Sequence, residues 1–169
     1  MKIVFSDAQY WEEFLPLTFT KPVAEMRFGI LTFAERWQKL LNAEESFYLT
    51  QDYLQNKFPA PKSGEVLFLV PNFLPTKKVV SAILSLKSGE ALVYKDELIA
   101  TKIDIEKFSL NNISKMTDIE EELIFISKPT DLFTYNENAI NFDFELLTKG
   151  KLSQQLSDTN GFLGNKEDL

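Results

Sequence analysis

The residues able to do chemistry gather near the start of the chain. Residues 6–27 hold Ser6, Asp7, Thr18, Lys21 and Arg27 in a stretch with neither helical nor strand periodicity. The same stretch carries Tyr10, Trp11, Phe14 and Phe19, with prolines at 16 and 22. Long irregular connections are uncommon in compact domains and are often functional. A disordered linker would not normally hold so much apolar mass, so this is read as an ordered loop built around something. Its two cations suffice for a small phosphorylated ligand. Tyr10, Trp11 and Phe14 could close over a ligand or stack on a base, but packing against the sheet is the role their apolar bulk favours.

What the chain lacks narrows the chemistry. It has no cysteine and no histidine among 169 residues. Disulfides, thiolate nucleophiles, the Ser-His and Cys-His schemes, the histidine base and most zinc sites are therefore excluded. Catalysis would run on carboxylates, Lys, Arg, Tyr, hydroxyls, backbone amides or a hard cation held by oxygen. A net charge of -7, with no basic run, disfavours nucleic acid or an anionic membrane as partner. Hydrophobic residues at 44%, including 15 phenylalanines, predict a globular domain with a substantial core. No apolar run reaches membrane-spanning length and no signal-peptide pattern opens the chain, so a cytoplasmic location is expected.

The elements that must position these residues alternate. Strands are predicted over residues 2–5, 46–50, 66–70, 90–95, 97–102 and 123–127. Helices are predicted over 30–41 and 75–87, with a short one at 52–58 and another stretch starting at Pro129 and stopping near Gly150. Residues 104–118 are polar and weakly periodic. The order predicts an α/β fold with a mainly parallel, Rossmann-like sheet and helices on both faces. Ligands in such sheets sit outside the carboxyl ends of the strands, where the 6–27 loop and Pro71-Asn72-Phe73-Leu74-Pro75 would both emerge. One domain is expected over residues 1–150, followed by an exit linker over 151–169.

Pro16-Leu17-Thr18, then Pro22 and Gly29 before a helix, resembles the opening of sugar-phosphate nucleotidyltransferases. Pro129-Thr130-Asp131-Leu132-Phe133 followed by Asn136 is similar to a later helix start in that group. The closer likeness is to a divergent branch whose loop reads Leu-Pro-x-Thr-x-x-[Arg/Lys]-Pro-Val-Ala-x-x-Arg-x-Gly-Ile, which residues 15–30 match almost throughout. Glu35-Arg36-Trp37 and residues 141–150 also look like that branch.

The resemblance implies a nucleotide-diphospho-sugar transferase fold. It implies attack of a sugar 1-phosphate oxygen on the α-phosphorus of a nucleoside triphosphate, with pyrophosphate leaving. It implies Arg27 and Lys21 as catalytic cations, and Ser6, Asp7, Pro16, Leu17, Thr18 and Asn72 as nucleotide-binding residues. Mg²⁺ is the implied cofactor, with Asn72 and Asp143 as candidate ligands. A left-handed β-helix would follow this domain and build a trimer. Residues 6–14 carry neither the glycines nor the arginine of the wider group. Two other readings therefore stay open: a non-catalytic sugar-nucleotide-binding or scaffold module of the same fold, and a protein-interaction domain. For Arg27 the rival role is a salt bridge to Glu25 or Glu35. Lys21 could be a solvated loop charge and Asn72 a strand-end turn residue. Asp143 could be an ordinary helix charge, and Trp37 is expected in the core.

Overall fold

The computed structural model describes residues 1–107 and 113–152, together with 157, 159, 161, 163 and 164. Most of the expected exit linker lies outside the described residues. So does the middle of the weakly periodic region.

Six strands form one sheet in the order β4-β1-β5-β7-β6-β8. They are β1 (Lys2–Ser6), β4 (Glu45–Leu49), β5 (Glu65–Leu69), β6 (Glu90–Tyr94), β7 (Glu97–Asp104) and β8 (Lys115–Asp118). β1 lies parallel to both β4 and β5, and β6 lies parallel to β8. β7 runs antiparallel to β5 and to β6, so the sheet is mostly parallel with one reversed strand. The reversal follows from a two-residue turn in which Lys95 and Asp96 both have positive φ, 49° and 65°, the geometry that matches strand twist in a tight hairpin.

Strand alternation sorts the core into two layers. Ile3, Phe5, Leu67 and Leu69 share one apolar cluster with Ala34, Trp37 and Leu41 of α2 (Phe33–Leu41) and with Val79 and Ile83 of α3 (Lys77–Ser85). Phe68 and Val70 belong to a second cluster with Tyr10, Phe14, Phe28, Phe33, Ile126 and Ala139. Trp37 is fully buried, as its place on the apolar stripe predicts, and its indole nitrogen donates to the Pro71 carbonyl at 3.0 Å.

Three elements depart from the sequence reading. Helix α2 begins at Phe33, because Thr32 and Glu35 form a reciprocal capping box there. Ile30 falls instead in a small hairpin of β2 (Arg27–Phe28) and β3 (Leu31–Thr32). Residues 123–127 make a single antiparallel bridge, Phe73 to Phe125, rather than a strand, although Leu123 and Ile126 are buried as a strand would have them. β8 escapes a pattern search because it is short and exposed on every residue, so it shows no alternation.

Candidate functional site: a two-lobed crevice at the strand ends

The family-like segment 15–30 is mostly occupied with holding itself in place. Gly29, at φ +81°, sits against α5 (Asn136–Thr148), where a Cβ would lie 2.8 Å from both the Ala139 carbonyl carbon and an Asp143 oxygen. The Gly29 N–H donates to the Asn136 side chain at 3.1 Å. Asp143 is fully buried, and so is Arg36. Asp143 Oδ1 accepts from Arg36 Nε at 2.7 Å. Its Oδ2 accepts from Arg36 Nη2 and from the N–H groups of Ile30 and Leu31, each at 2.9 Å. Arg36 also donates to the Phe28 carbonyl and lies over the Phe28 and Phe33 rings, 5.4 and 5.9 Å from their centroids. Asp143 thus fastens the 27–32 hairpin to α2 and α5, and four donors already occupy its oxygens. Replacing Gly29 with alanine is expected to destabilise the fold by at least the strain of a left-handed non-glycine residue, about 1–3 kcal/mol. A urea unfolding midpoint unchanged from wild type would contradict this.

Pro16, Leu17 and Thr18 form a clasp to α1 (Tyr10–Glu13). Thr18 is fully buried; its hydroxyl donates to the Trp11 carbonyl at 2.7 Å, and its own carbonyl accepts from the Trp11 indole at 3.1 Å. Pro16 and Leu17 are exposed above it, after a cis Leu15–Pro16 bond. Arg27 is 61% exposed, donates to the Ile30 carbonyl and stands 4.0 Å from Glu35, the rival ion pair considered above. Lys21 is half-buried. Neither cation lines the crevice described below.

At the exit of β1, Asp7 is buried beneath the surface. Its carboxylate accepts from the Val23 N–H at 2.8 Å and from the Thr50 hydroxyl at 2.5 Å, which ties the strand end to the 15–25 segment and to the residue after β4. Burial pushes this carboxyl from 3.8 up to about 6, against the pull of those two hydrogen bonds. The N–H groups of Asp7, Ala8 and Tyr10 are taken by the Leu49 carbonyl, the Ser6 hydroxyl and the Asp7 carbonyl. Asn72 is fully buried and donates to the Ile126 carbonyl at 2.7 Å, while the Ile126 N–H bonds back to the Asn72 carbonyl at 2.8 Å. Its side-chain oxygen has no hydrogen-bond partner.

A crevice opens where the carboxyl ends of β1, β4 and β5 meet the start of β7. Its first lobe, about 490 Å³, is lined by Ser6, Gln9, Leu49, Phe68, Val70 and Leu98 among others, with Asp96 and Glu97 at the turn. The second, about 400 Å³, is lined by Tyr94, Lys95, Glu122, Leu123, Ile124, Phe125 and Tyr135. Tyr10 and Glu97 line both lobes, and the Tyr10 hydroxyl donates to Glu97 between them. Burial, followed by that contact with Glu97, pushes the Tyr10 hydroxyl up from its ordinary value, so it stays a donor. Each volume suits a small-molecule site.

Of the residues singled out in the sequence, the structure brings Ser6 and Tyr10 to this crevice, while Asp7 is buried and not part of its lining. It places Pro16, Leu17, Thr18, Lys21, Arg27, Asn72 and Asp143 outside the lining. Sequence reading missed Lys95, Asp96, Glu97 and Glu122. The available signal was Lys95-Asp96-Glu97 as a tight turn between two strands, a polar tip that the fold carries to the strand ends. Among the described residues there is no group of three or more carboxylates able to hold a metal ion. Asp143 and Asp7 are committed elsewhere, and an amide such as Asn72 is a weak partner for Mg²⁺.

A mixed α/β sheet with a polar-rimmed crevice at its strand ends belongs to the class of folds that take nucleotides and other small ligands there. The chain belongs to the sugar nucleotidyl transferase family, whose match spans residues 2–152. It is a nucleotidyltransferase-like domain. No curated protein matches the sequence. Among the described residues no helix is long and apolar enough to cross a membrane.

Proposed function

We propose that this domain transfers a nucleotidyl group from a nucleoside triphosphate to a sugar 1-phosphate across the two-lobed crevice. The observation that carries the reading is the pair of lobes at the strand ends that share Tyr10 and Glu97, in a chain of this family. The first lobe offers the apolar wall of Leu49, Phe68, Val70 and Leu98 to a base, with Ser6 and Gln9 for its polar edge or the ribose. The second offers the aromatic rings of Tyr94, Phe125 and Tyr135 to a sugar face, and Glu97 and Glu122 to its hydroxyls. In the reaction a phosphate oxygen of the sugar phosphate bonds to the α-phosphorus as the bond to the bridging β-phosphate oxygen breaks. The nucleophile is already an anion, so no histidine base is needed. What the chain supplies is alignment of the two ligands. Among the described residues no group of three or more carboxylates is gathered, so a magnesium ion would be held largely by the triphosphate's own oxygens. An ion would arrive with the triphosphate, and Asp96, exposed at the hairpin tip in the first lobe, is the carboxylate offered to it.

One observation favours a second reading, binding without transfer. The first lobe has two carboxylates and no Lys or Arg, and the nearby N–H groups are already bonded. Pyrophosphate release over a panel of triphosphates and sugar 1-phosphates, with Mg²⁺, separates the two. Release dependent on both substrates is expected. Absence of release, with sugar nucleotides still raising thermal stability, would replace transfer by binding.

A further inference from the structure

We infer that Lys95 is the crevice's phosphate-holding residue, and that it takes the ligand phosphate by exchanging it for Glu122. This rests on reading the crevice as a nucleotide and sugar-phosphate site. Among the residues that line the two lobes, Lys95 is the one cation. It sits at the tip of the β6–β7 hairpin, between lobes: Lys95 faces the second, and its neighbour Asp96 faces the first.

The turn itself is built for side chains. Tight turns with two positive-φ residues favour glycine, asparagine and aspartate; Asp96 at 65° fits that preference, and Lys95 at 49° departs from it. Ala8, at φ 43°, is a second such residue on the crevice wall. Strain of this kind persists where the surroundings fix it, and it gathers at functional sites.

The present partner of Lys95 is poised to be given up. Lys95 Nζ stands 3.1 Å from Glu122 Oε2, and the two side chains are 66% and 83% exposed. An exposed pair contributes little, so separating it costs little. A phosphate carries more charge and more acceptor oxygens than the carboxylate it would displace. Glu122 would not be stranded, because the Tyr94 hydroxyl also donates to it, at 3.0 Å. The Tyr94 ring lies 5.0 Å from the ammonium and would keep it near the lobe after the exchange.

The test titrates inorganic pyrophosphate into the wild type, Lys95→Gln, Lys95→Arg and Glu122→Gln by calorimetry at low and moderate salt. Both positions are exposed surface, and melting temperatures confirm that each variant is folded. Lys95→Gln is expected to weaken binding about tenfold and flatten its salt dependence, and Lys95→Arg to retain most of it. Glu122→Gln is expected to strengthen it by freeing the ammonium. Equal affinity in wild type and Lys95→Gln, or no binding by the wild type at millimolar pyrophosphate, overturns the inference. Lys95-dependent binding without nucleotidyl transfer upholds it and removes catalysis from the proposed function. Transfer with an unchanged KM in Lys95→Gln does the reverse.

Discussion

Replacing Asp143 with alanine is expected to remove about 3–5 kcal/mol of stability, the loss typical when one partner of a buried ion pair is deleted. The change would leave the Arg36 guanidinium without its carboxylate in a fully buried site, with Nη1 already lacking a hydrogen bond. It would also strip the acceptor from the N–H groups of Ile30 and Leu31. Domains of this size are stable by only about 5–15 kcal/mol, so a large share of the fold's margin rests on this residue. The double variant Arg36→Met with Asp143→Leu should lose less than Asp143→Ala alone, because it removes the stranded charge. Urea unfolding followed by tryptophan fluorescence measures both, since Trp37 is packed in the core. A loss under about 1 kcal/mol in Asp143→Ala would contradict this account of the pair.

The second large effect is a pH dependence set by Asp7. Its folded-state value, about 6, lies above the 3.8 of a free carboxyl because burial disfavours the charged form. The folded state therefore binds this proton more tightly than the unfolded chain does. The stabilisation is fully present below about pH 4, is lost as pH rises through 6, and stays lost above. A shift of about two units corresponds to roughly 3 kcal/mol across that window. Asparagine can replace Asp7 while still accepting from Val23 and donating to Thr50. Asp7→Asn is therefore expected to equal or exceed wild-type stability at pH 7–8 and to lose the slope between pH 4 and 6.5. Unfolding midpoints for both proteins across that range, compared by difference, remove the contribution of the other carboxylates. Parallel curves would show that Asp7 does not carry the dependence.

Much of the scaffold was legible in local pattern. β1, β4, β5, β6 and β7 lie close to the apolar runs that predicted them; β5 follows Gly64 and ends before Pro71, and β6 starts after Gly89 and ends at the Lys95-Asp96 turn. Of the apolar side expected along helix α3, Val79, Val80, Ile83, Leu84 and Leu86, the structure buries Val79, Ile83 and Leu86 but leaves Leu84 exposed. The site was less legible, because its residues meet only through topology. Lys95, Asp96 and Glu97 reach Ser6 and Tyr10 because β7 inserts antiparallel between β5 and β6, a placement no local period encodes. Glu122 follows from the bridge between Phe73 and Phe125, across distant residues.

Arg36 shows the same limit from the core side. An arginine beside Trp37 and one turn after Phe33 signals a buried cation in need of a carboxylate, but its partner lies 107 residues away. The segment that resembles the family most closely, residues 15–30, turns out to be rich in structural bonds: Thr18 to Trp11, Val23 to Asp7, and Gly29 to Asn136. A motif can mark a family through the residues that build its scaffold as well as through those that touch a ligand.

The most direct test of the central claim is amide chemical-shift mapping of the ¹⁵N-labelled protein titrated with a nucleoside diphosphate sugar. Binding in the two-lobed crevice predicts perturbations concentrated at residues 6–10, 94–98 and 122–125. Perturbations centred on Lys21 and the 27–32 hairpin, with the crevice resonances unmoved, would contradict it.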